Sequence, residues 1–368
     1  MEPILELFLL FSSLINHDMI FTAVVLLLAL LAARRPADSS RRAHLVAALA
    51  AAFILSMLLK PLIAEPRPCW LGLPALAACP ADYSMPSAHS AVAFALAFAL
   101  IRRRSFPPAL LFALLVAGSR MFLGVHTLPD VAGGMAVALL AVALADRAVP
   151  DAAAITPPKK IAQAAAASGR GGPASSFSPS AHVADHHSEL ARKILQIIIG
   201  LGLLAMVALW GAEPAVTLLF AVLAAGSLLF HLKARGHALP LADSLLSRLE
   251  RPGAARGEGA MTLAAGLLMG LTLLPLPLAQ VSIILLSLSD SAAALAGRGQ
   301  TLRLPHHPQK SYLGSAAFIV AALPAYFLAG WDGLLMVLIA AILESLPSGL
   351  DDNLLMPLSG LALLLKWR

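Results

Sequence analysis

The sequence predicts an all-α, polytopic transmembrane protein made of two helical bundles joined by a flexible linker. Three observations carry this expectation. Of 368 residues, 59% are apolar and only 12% charged, a composition far from that of a soluble globular domain. The apolar residues come in repeated runs separated by short polar segments, the pattern of membrane spans. Basic residues gather between runs, Arg34, Arg35, Arg41 and Arg42 in one segment and Arg102, Arg103 and Arg104 in another, which the positive-inside rule assigns to the cytoplasm. The net charge of +6 therefore reports topology. The arginines do not line one face as a nucleic-acid surface requires, so no nucleic-acid partner is expected.

The elements follow in order. The run Pro3 to Ile15 has Glu2 and Glu6 at its start, no basic n-region and no small-residue cleavage site. It reads as an interfacial or re-entrant helix rather than a removable signal peptide. Spans are expected near residues 17–33, 43–62, 88–101, 107–118 and 131–148. Several are shorter than the ~20 residues a free helix needs, so tilt and bundle partners must cover the difference. Counting from the arginine-rich loops places residues 60–84 and 119–130 together on the outer face. In the first of these segments lie the only cysteines, Cys69 and Cys79, which an oxidising compartment would allow to pair.

From Val149 to about Ser188 the apolar pattern gives way to Ala, Ser, Pro and Gly, a flexible linker. His182, His186 and His187 within it have no cysteine or second cluster beside them and read as solvated, not as metal ligands. A second set of spans is expected near 194–211, 214–230, 261–275, 280–296, 312–329, 332–346 and 354–365. The polar loops 231–259, 297–311 and 347–353 share one side, which the arginine and lysine load of the longer ones assigns to the cytoplasm, opposite the short turns GAEP, PLPL and GWDG. No internal repeat relates the halves. The division is thus 1–148, linker 149–188, and 189–368, in a bacterial inner (plasma) membrane.

Polar residues inside such a chain are costly unless used. In the first half they form three stretches, KPLIAEPRP (Lys60 to Pro68), YSMPSAH (Tyr83 to His89) and SRMFLGVHTLPD (Ser119 to Asp130). Two flanking prolines restrict the backbone at Arg67 and so aim its guanidinium, which with Lys60 and Arg120 suits an anion. Pro86 is suited to the first turn of the next helix, leaving amides around Ser87 and Ala88 for the same anion. His89 can donate a proton, His126 is the candidate nucleophile, and Asp130 can fix its tautomer.

The pattern K-x6-R-P, P-S-A-H and S-R-x5-H-x3-D resembles the signature of the type 2 phosphatidic acid phosphatase family, over residues 17–148. The resemblance implies a helical bundle, a lipid phosphate or pyrophosphate substrate of phosphatidate or polyprenyl type, no metal requirement and a covalent phosphohistidine. By that resemblance His126 attacks phosphorus, Asp130 orients it and His89 protonates the leaving group. Lys60, Arg67, Ser87, Ser119 and Arg120 hold the phosphoryl oxygens. Ala88 stands where the family commonly has glycine.

In the second half Asp290 lies inside an apolar run, and Lys310, Ser311 and Gly314 follow in KSYLGS. Glu344 precedes PSGLDDN, which contains Asp351, Asp352 and Asn353. Acids able to hold Mg2+ beside a lysine are ingredients of nucleotide handling, although no GxxxxGK[ST] loop is present. These stretches, with Glu189, Arg192 and Lys193 ahead of them, resemble the CTP-dependent lipid kinases of the dolichol, phytol and diacylglycerol kinase type. That implies CTP and Mg2+ as cofactors and a polyprenol or diacylglycerol acceptor. Asp290, Asp351 and Asp352 would be metal or nucleotide contacts and Lys310 a phosphate contact, with Ser311 and Asn353 beside them. Gln196 replaces a histidine usual in that family, and His306 and His307 read as loop residues. The alternative is a catalytically inactive lipid-binding module attached to the phosphatase.

Overall fold

The computed structural model describes residues 2–32, 39–149, 179–240 and 258–366. Helix α1 (Glu2–Asn16) meets α2 (Asp18–Ala32) at a bend of 96°, so the pair forms one broken span or a re-entrant loop. Helix α3 (Ser39–Ile63) carries Lys60 in its last turn. A 3-10 turn (Pro68–Leu71) and an irregular loop lead to α4 (Ala88–Ala99), α5 (Phe106–Phe122) and α6 (Leu128–Ala148). A disulfide joins Cys69 and Cys79 within that loop, with Cα atoms 6.0 Å apart.

Helices α3, α4 and α6 make the centre of the first half. Their contact faces are rich in fully buried alanines, among them Ala48, Ala52, Ala91, Ala95, Ala132, Ala136 and Ala141. Small side chains let helix backbones approach closely where lipid gives no hydrophobic drive to association. The closest approach is at Gly134, where an added Cβ would lie 2.7 Å from the Ser87 carbonyl oxygen and 3.0 Å from the Ala91 nitrogen. The missing side chain lets α6 press against the start of α4. The outward faces carry exposed Leu27, Leu30, Ile54, Leu58 and Ile198, apolar surface that a lipid solvent accepts.

The second half begins with α7 (Pro179–Trp210) and α8 (Ala212–Ala234), which turn at Gly211. Then come α9 (Glu258–Leu273) and α10 (Leu276–Ile284), the latter running through a π-helical turn (Leu285–Ser289) into α11 (Asp290–Gly297). A short antiparallel hairpin, β1 (Arg303–Leu304) with β2 (His307–Ser311), precedes α12 (Tyr312–Ala321), α13 (Ala325–Ser345) and α14 (Asp352–Leu361). Among the described residues six helices are long and apolar enough to cross a membrane, or seven if the bent α1–α2 pair is one span. The chain is an integral membrane protein, all-helical among the described residues apart from that hairpin.

The halves pack on one another through a continuous buried core. Phe94 on α4 meets Phe220 on α8 edge-on with centroids 5.9 Å apart, and His231 Nδ1 lies 2.6 Å from the Ile101 carbonyl oxygen. Helix α3 lies antiparallel to α6, since His44 at its start pairs with Asp146 at 2.7 Å while Lys60 at its end faces the start of α6. The loop before α14 also reaches the far end of α6, where a Cβ on Gly349 would collide with the Arg147 guanidinium. The polar residues of the second half thus lie at the opposite end of α6 from His126 and Asp130. At 1.5 Å per residue that helix is roughly 30 Å long.

Several expected elements differ. The runs at 88–101, 107–118, 261–275 and 354–365 form helices of 12, 17, 16 and 10 residues, apolar but short, because the packed interior supplies burial without membrane-spanning length. The run 312–329 stops at Ala321 and a new helix starts at Ala325 after Pro324, whose ring cannot continue the preceding helix. The GWDG turn is instead a kink at Ala329 and Gly330 within α13. Residues 179–188, expected in the linker, are the first turns of α7. The rest of the linker from residue 150, and most of the 231–259 loop, lie outside the described residues.

Candidate active site

The three motif stretches converge on one cavity of about 680 Å³. Lys60, Arg67, His89, Arg120 and His126 all line it, together with an apolar wall from α2, α3 and α4 that includes Phe21, Leu49, Phe53 and Val92. One end is cationic and the other greasy.

His126 sits in the turn between α5 and α6. Gly124 makes that turn with φ of +72°, and its missing Cβ leaves room for the Pro74 carbonyl, 2.4 Å from where the carbon would be. Thr127 then caps α6. Its amide donates to Asp130 Oδ2 at 2.7 Å and its hydroxyl accepts from the Asp130 amide at 3.5 Å, a capping box that fixes the carboxylate one turn beyond the imidazole.

The contacts of His126 assign its tautomer. Nε2 lies 3.2 Å from Arg67 Nη1, and a guanidinium only donates, so Nε2 carries the lone pair. Nδ1 therefore bears the proton. It lies 3.2 Å from the Ser84 hydroxyl and 3.5 Å from Asp130 Oδ2. Ser84 donates onward to Asp130 Oδ2 at 2.5 Å. Burial, only partly offset by Asp130, lowers the His126 pKa to about 4, so the ring is neutral at neutral pH with its unprotonated nitrogen toward Arg67.

His89, in the first turn of α4, packs against Phe21 with centroids 4.4 Å apart and the rings tilted by 42°. Its Nε2 is buried without a hydrogen-bond partner, since Asp18 Oδ1 at 3.3 Å is out of line. Arg120 donates to Asn16 Oδ1 at 2.8 Å, while its Nε is also buried and unpartnered. Such orphans are rare in native interiors, and here both belong to residues that line the cavity. Beside them the helical geometry of α4 leaves the Ala88 and His89 amides without intrahelical acceptors.

Two expected ligands do not reach the cavity. The Ser119 hydroxyl bonds back to the Val116 carbonyl at 2.8 Å within its own helix, and Ser87 Oγ accepts from Ser90 at 3.1 Å. The Ser87 amide is not open to an anion either, because it donates to the Asp130 carbonyl at 3.0 Å. Pro86 precedes the cap at Ser87 instead of opening the first turn.

Four residues that the sequence reading did not single out belong to the site. These are Asn16 and Asp18 at the α1–α2 elbow, Asp82, and Ser84. The triplet Asn16-His17-Asp18 between two apolar runs carries the same signal that marked the other stretches.

At the other end of α6 the second half encloses a cavity of about 710 Å³, bordered by Lys193, Asp290, Lys310, Ser311, Glu344 and Asp352. Asp290 is held by Lys193 and by Gln196 Nε2 at 2.8 Å. Lys310 bridges Glu344 at 2.8 Å and Asp352 at 2.7 Å. Ser311 caps α12 through the Gly314 amide. Asp351 caps α14 through the Asn353 amide, and Asn353 reaches Thr262. Asp290, Asp351 and Asp352 do not converge as a magnesium set. Asp290 and Asp352 are paired with lysines, and among the described residues no group of three or more His, Cys, Asp or Glu is placed to hold a metal.

Comparison with curated proteins and with solved structures finds no match. A family model does match, that of the PAP2 superfamily, over residues 41–154. It takes in α3 to α6 and every motif residue from Lys60 to Asp130, and leaves Asn16 and Asp18 outside. Within this membrane protein, then, residues 41–154 are a PAP2 superfamily domain.

Proposed function

We propose that the first half is a membrane phosphatase for lipid phosphates or pyrophosphates, acting through a phosphohistidine at His126. The observation that carries the reading is the pairing of a neutral, Nδ1-protonated His126 with Arg67 and the unpartnered Arg120 Nε around one cavity that also has an apolar wall. The phosphoryl group of the substrate lies among Lys60, Arg67 and Arg120, and the chain follows the apolar wall toward the bilayer. His126 Nε2 attacks phosphorus, the bond to the leaving oxygen breaks, and His89, protonated from solvent once the phosphoryl charge enters the cavity, passes that proton to the leaving oxygen. Water then cleaves the phosphorus–nitrogen bond, releasing inorganic phosphate and restoring the imidazole. Ser84 and Asp130 hold the Nδ1 proton and the charge that grows on the ring. The family needs no metal for this chemistry. The purified protein should release phosphate from a lipid phosphate in detergent or nanodiscs, and His126→Ala should abolish that release. A transporter would be indifferent to the substitution.

A second reading concerns the other half, and the lysine-lined cavity beside Asp290 favours it. By resemblance that half is a CTP-using kinase of a polyprenol or diacylglycerol on the cytoplasmic face, with the phosphatase outside. The two would run opposite chemistry on one lipid carrier. Its acids do not fit a magnesium site as they stand, so no step is drawn through the metal. Labelled CTP with Mg2+ and either alcohol tests it. Transfer lost in Asp290→Ala while hydrolysis persists supports a kinase, and no transfer at all favours a lipid-binding module.

A further inference from the structure

Both cations of the first motif are held by one carboxylate. Lys60 Nζ lies 2.7 Å from Asp82 Oδ2, and Arg67 Nη2 donates to Asp82 Oδ1 at 2.6 Å. The Asp82 carbonyl accepts from Arg67 Nε at 2.7 Å, and the Tyr83 carbonyl accepts from Lys60 at 2.5 Å. Arg67 Nη1 is occupied by the Val125 carbonyl and His126 Nε2. These cations have little left to offer a phosphoryl group while Asp82 stays in place.

We propose that Asp82 is a resident competitor in the phosphoryl subsite, displaced from Lys60 and Arg67 when phosphate binds and returning as phosphate leaves. The inference rests on the phosphatase reading above and adds a residue that sets how tightly the site grips its substrate and its inorganic product. Three features support it. The two oxygens of a carboxylate bridging an ammonium and a guanidinium copy the charge and donor pattern of a phosphoryl edge. The Asp82 side chain is 51% exposed whereas those of Lys60 and Arg67 are 5% and 3% exposed, so the carboxylate has solvent to swing into and the cations do not. The carbonyls of Asp82 and Tyr83 keep both cations aimed when the carboxylate departs.

The exchange is chemically balanced, one anion for another, with no bond made or broken. Asp82 also supplies two buried cations with the countercharge that burial would otherwise make costly to omit. Arg120, whose Nε has no hydrogen-bond partner, gives an incoming phosphate a first contact that Asp82 does not block.

Calorimetric titration of the full-length protein in detergent with inorganic phosphate, and separately with orthovanadate, tests the proposal. Asp82→Asn and Asp82→Ser should each bind both anions about tenfold more tightly than wild type, because the competing charge-assisted bonds are gone. Glu65→Gln removes an equal charge two residues from Arg67, at an exposed position outside the cavity, and should change affinity by less than about threefold. Unchanged or weaker binding in both Asp82 variants, or loss of the fold in both, would overturn the proposal by making Asp82 a structural anchor of Arg67. An equal gain in Glu65→Gln would overturn it in favour of a general field effect. A wild type that hydrolyses lipid phosphate while the Asp82 variants gain nothing sinks this inference alone. A wild type that neither hydrolyses nor binds either anion sinks the phosphatase reading beneath it.

Discussion

The Ser84 hydroxyl stands between Asp130 and His126, donating to the carboxylate at 2.5 Å while lying 3.2 Å from the imidazole Nδ1. The carboxylate itself is 3.5 Å from that nitrogen. Orientation of the His126 ring therefore runs through the serine as much as through the acid. Ser84→Ala should lower kcat by about 10- to 100-fold with KM changed little, since the hydroxyl touches the ring and not the substrate. Ser84→Thr, which restores the hydroxyl, should recover part of the loss. Steady-state kinetics on a soluble short-chain lipid phosphate measure both.

The pH profile should follow His126. Burial holds its pKa near 4 instead of the usual 6.5, so the imidazole is neutral above that value and protonated below it. The acid limb of log kcat/KM should lie near pH 4, with activity falling as pH drops through it. The same shift makes His126 destabilising at low pH. The stability cost is absent above about 6.5, grows as pH falls between 6.5 and 4, and is complete below that. An acid limb near 6.5 would mean an imidazole far more solvated than this one.

Gly134 fixes the start of α4 against α6. A methyl group there would lie 2.7 Å from the Ser87 carbonyl oxygen, and backbone cannot retreat cheaply. Gly134→Ala should cost about 1–3 kcal/mol of stability and reduce kcat, because α4 carries His89. Thermal melts in detergent alongside activity would separate this variant from Gly202→Ala, where nothing lies within 4 Å.

The Cys69–Cys79 disulfide closes the loop whose end carries Asp82. Replacing both cysteines by serine should lower stability by about 2–3 kcal/mol. Addition of a reductant to wild type should give the same shift and leave the double variant unaffected, as a denaturation series would reveal.

Much of this site was legible because polar residues in an apolar chain stand out. Lys60, Arg67, His89, Arg120 and His126 were each conspicuous for that reason, and all five line one cavity. Serines were harder to place. A helical serine can satisfy itself on the carbonyl three residues back, as Ser119 does, and sequence does not reveal which way the hydroxyl turns. Asp82 and Ser84 looked like ordinary polar loop residues, since their roles depend on a fold-back of that loop onto Lys60 and Arg67. Run length gave apolarity but not helix length, so the runs at 88–101 and 107–118 became helices of 12 and 17 residues. In the second half, sequence brought Asp290, Asp351 and Asp352 to mind as one ligand set. The lysines that neutralise Asp290 and Asp352 come from other elements, and neither pairing is visible from spacing.

The most direct test is to trap the covalent intermediate. Wild-type protein is mixed with a lipid phosphate carrying 32P in the phosphoryl group, quenched under alkaline conditions within milliseconds, and mapped by peptide mass spectrometry. A base-stable, acid-labile label on His126, absent from His126→Ala, is the predicted result. Hydrolysis that persists in His126→Ala, or a label on another residue, would contradict the account.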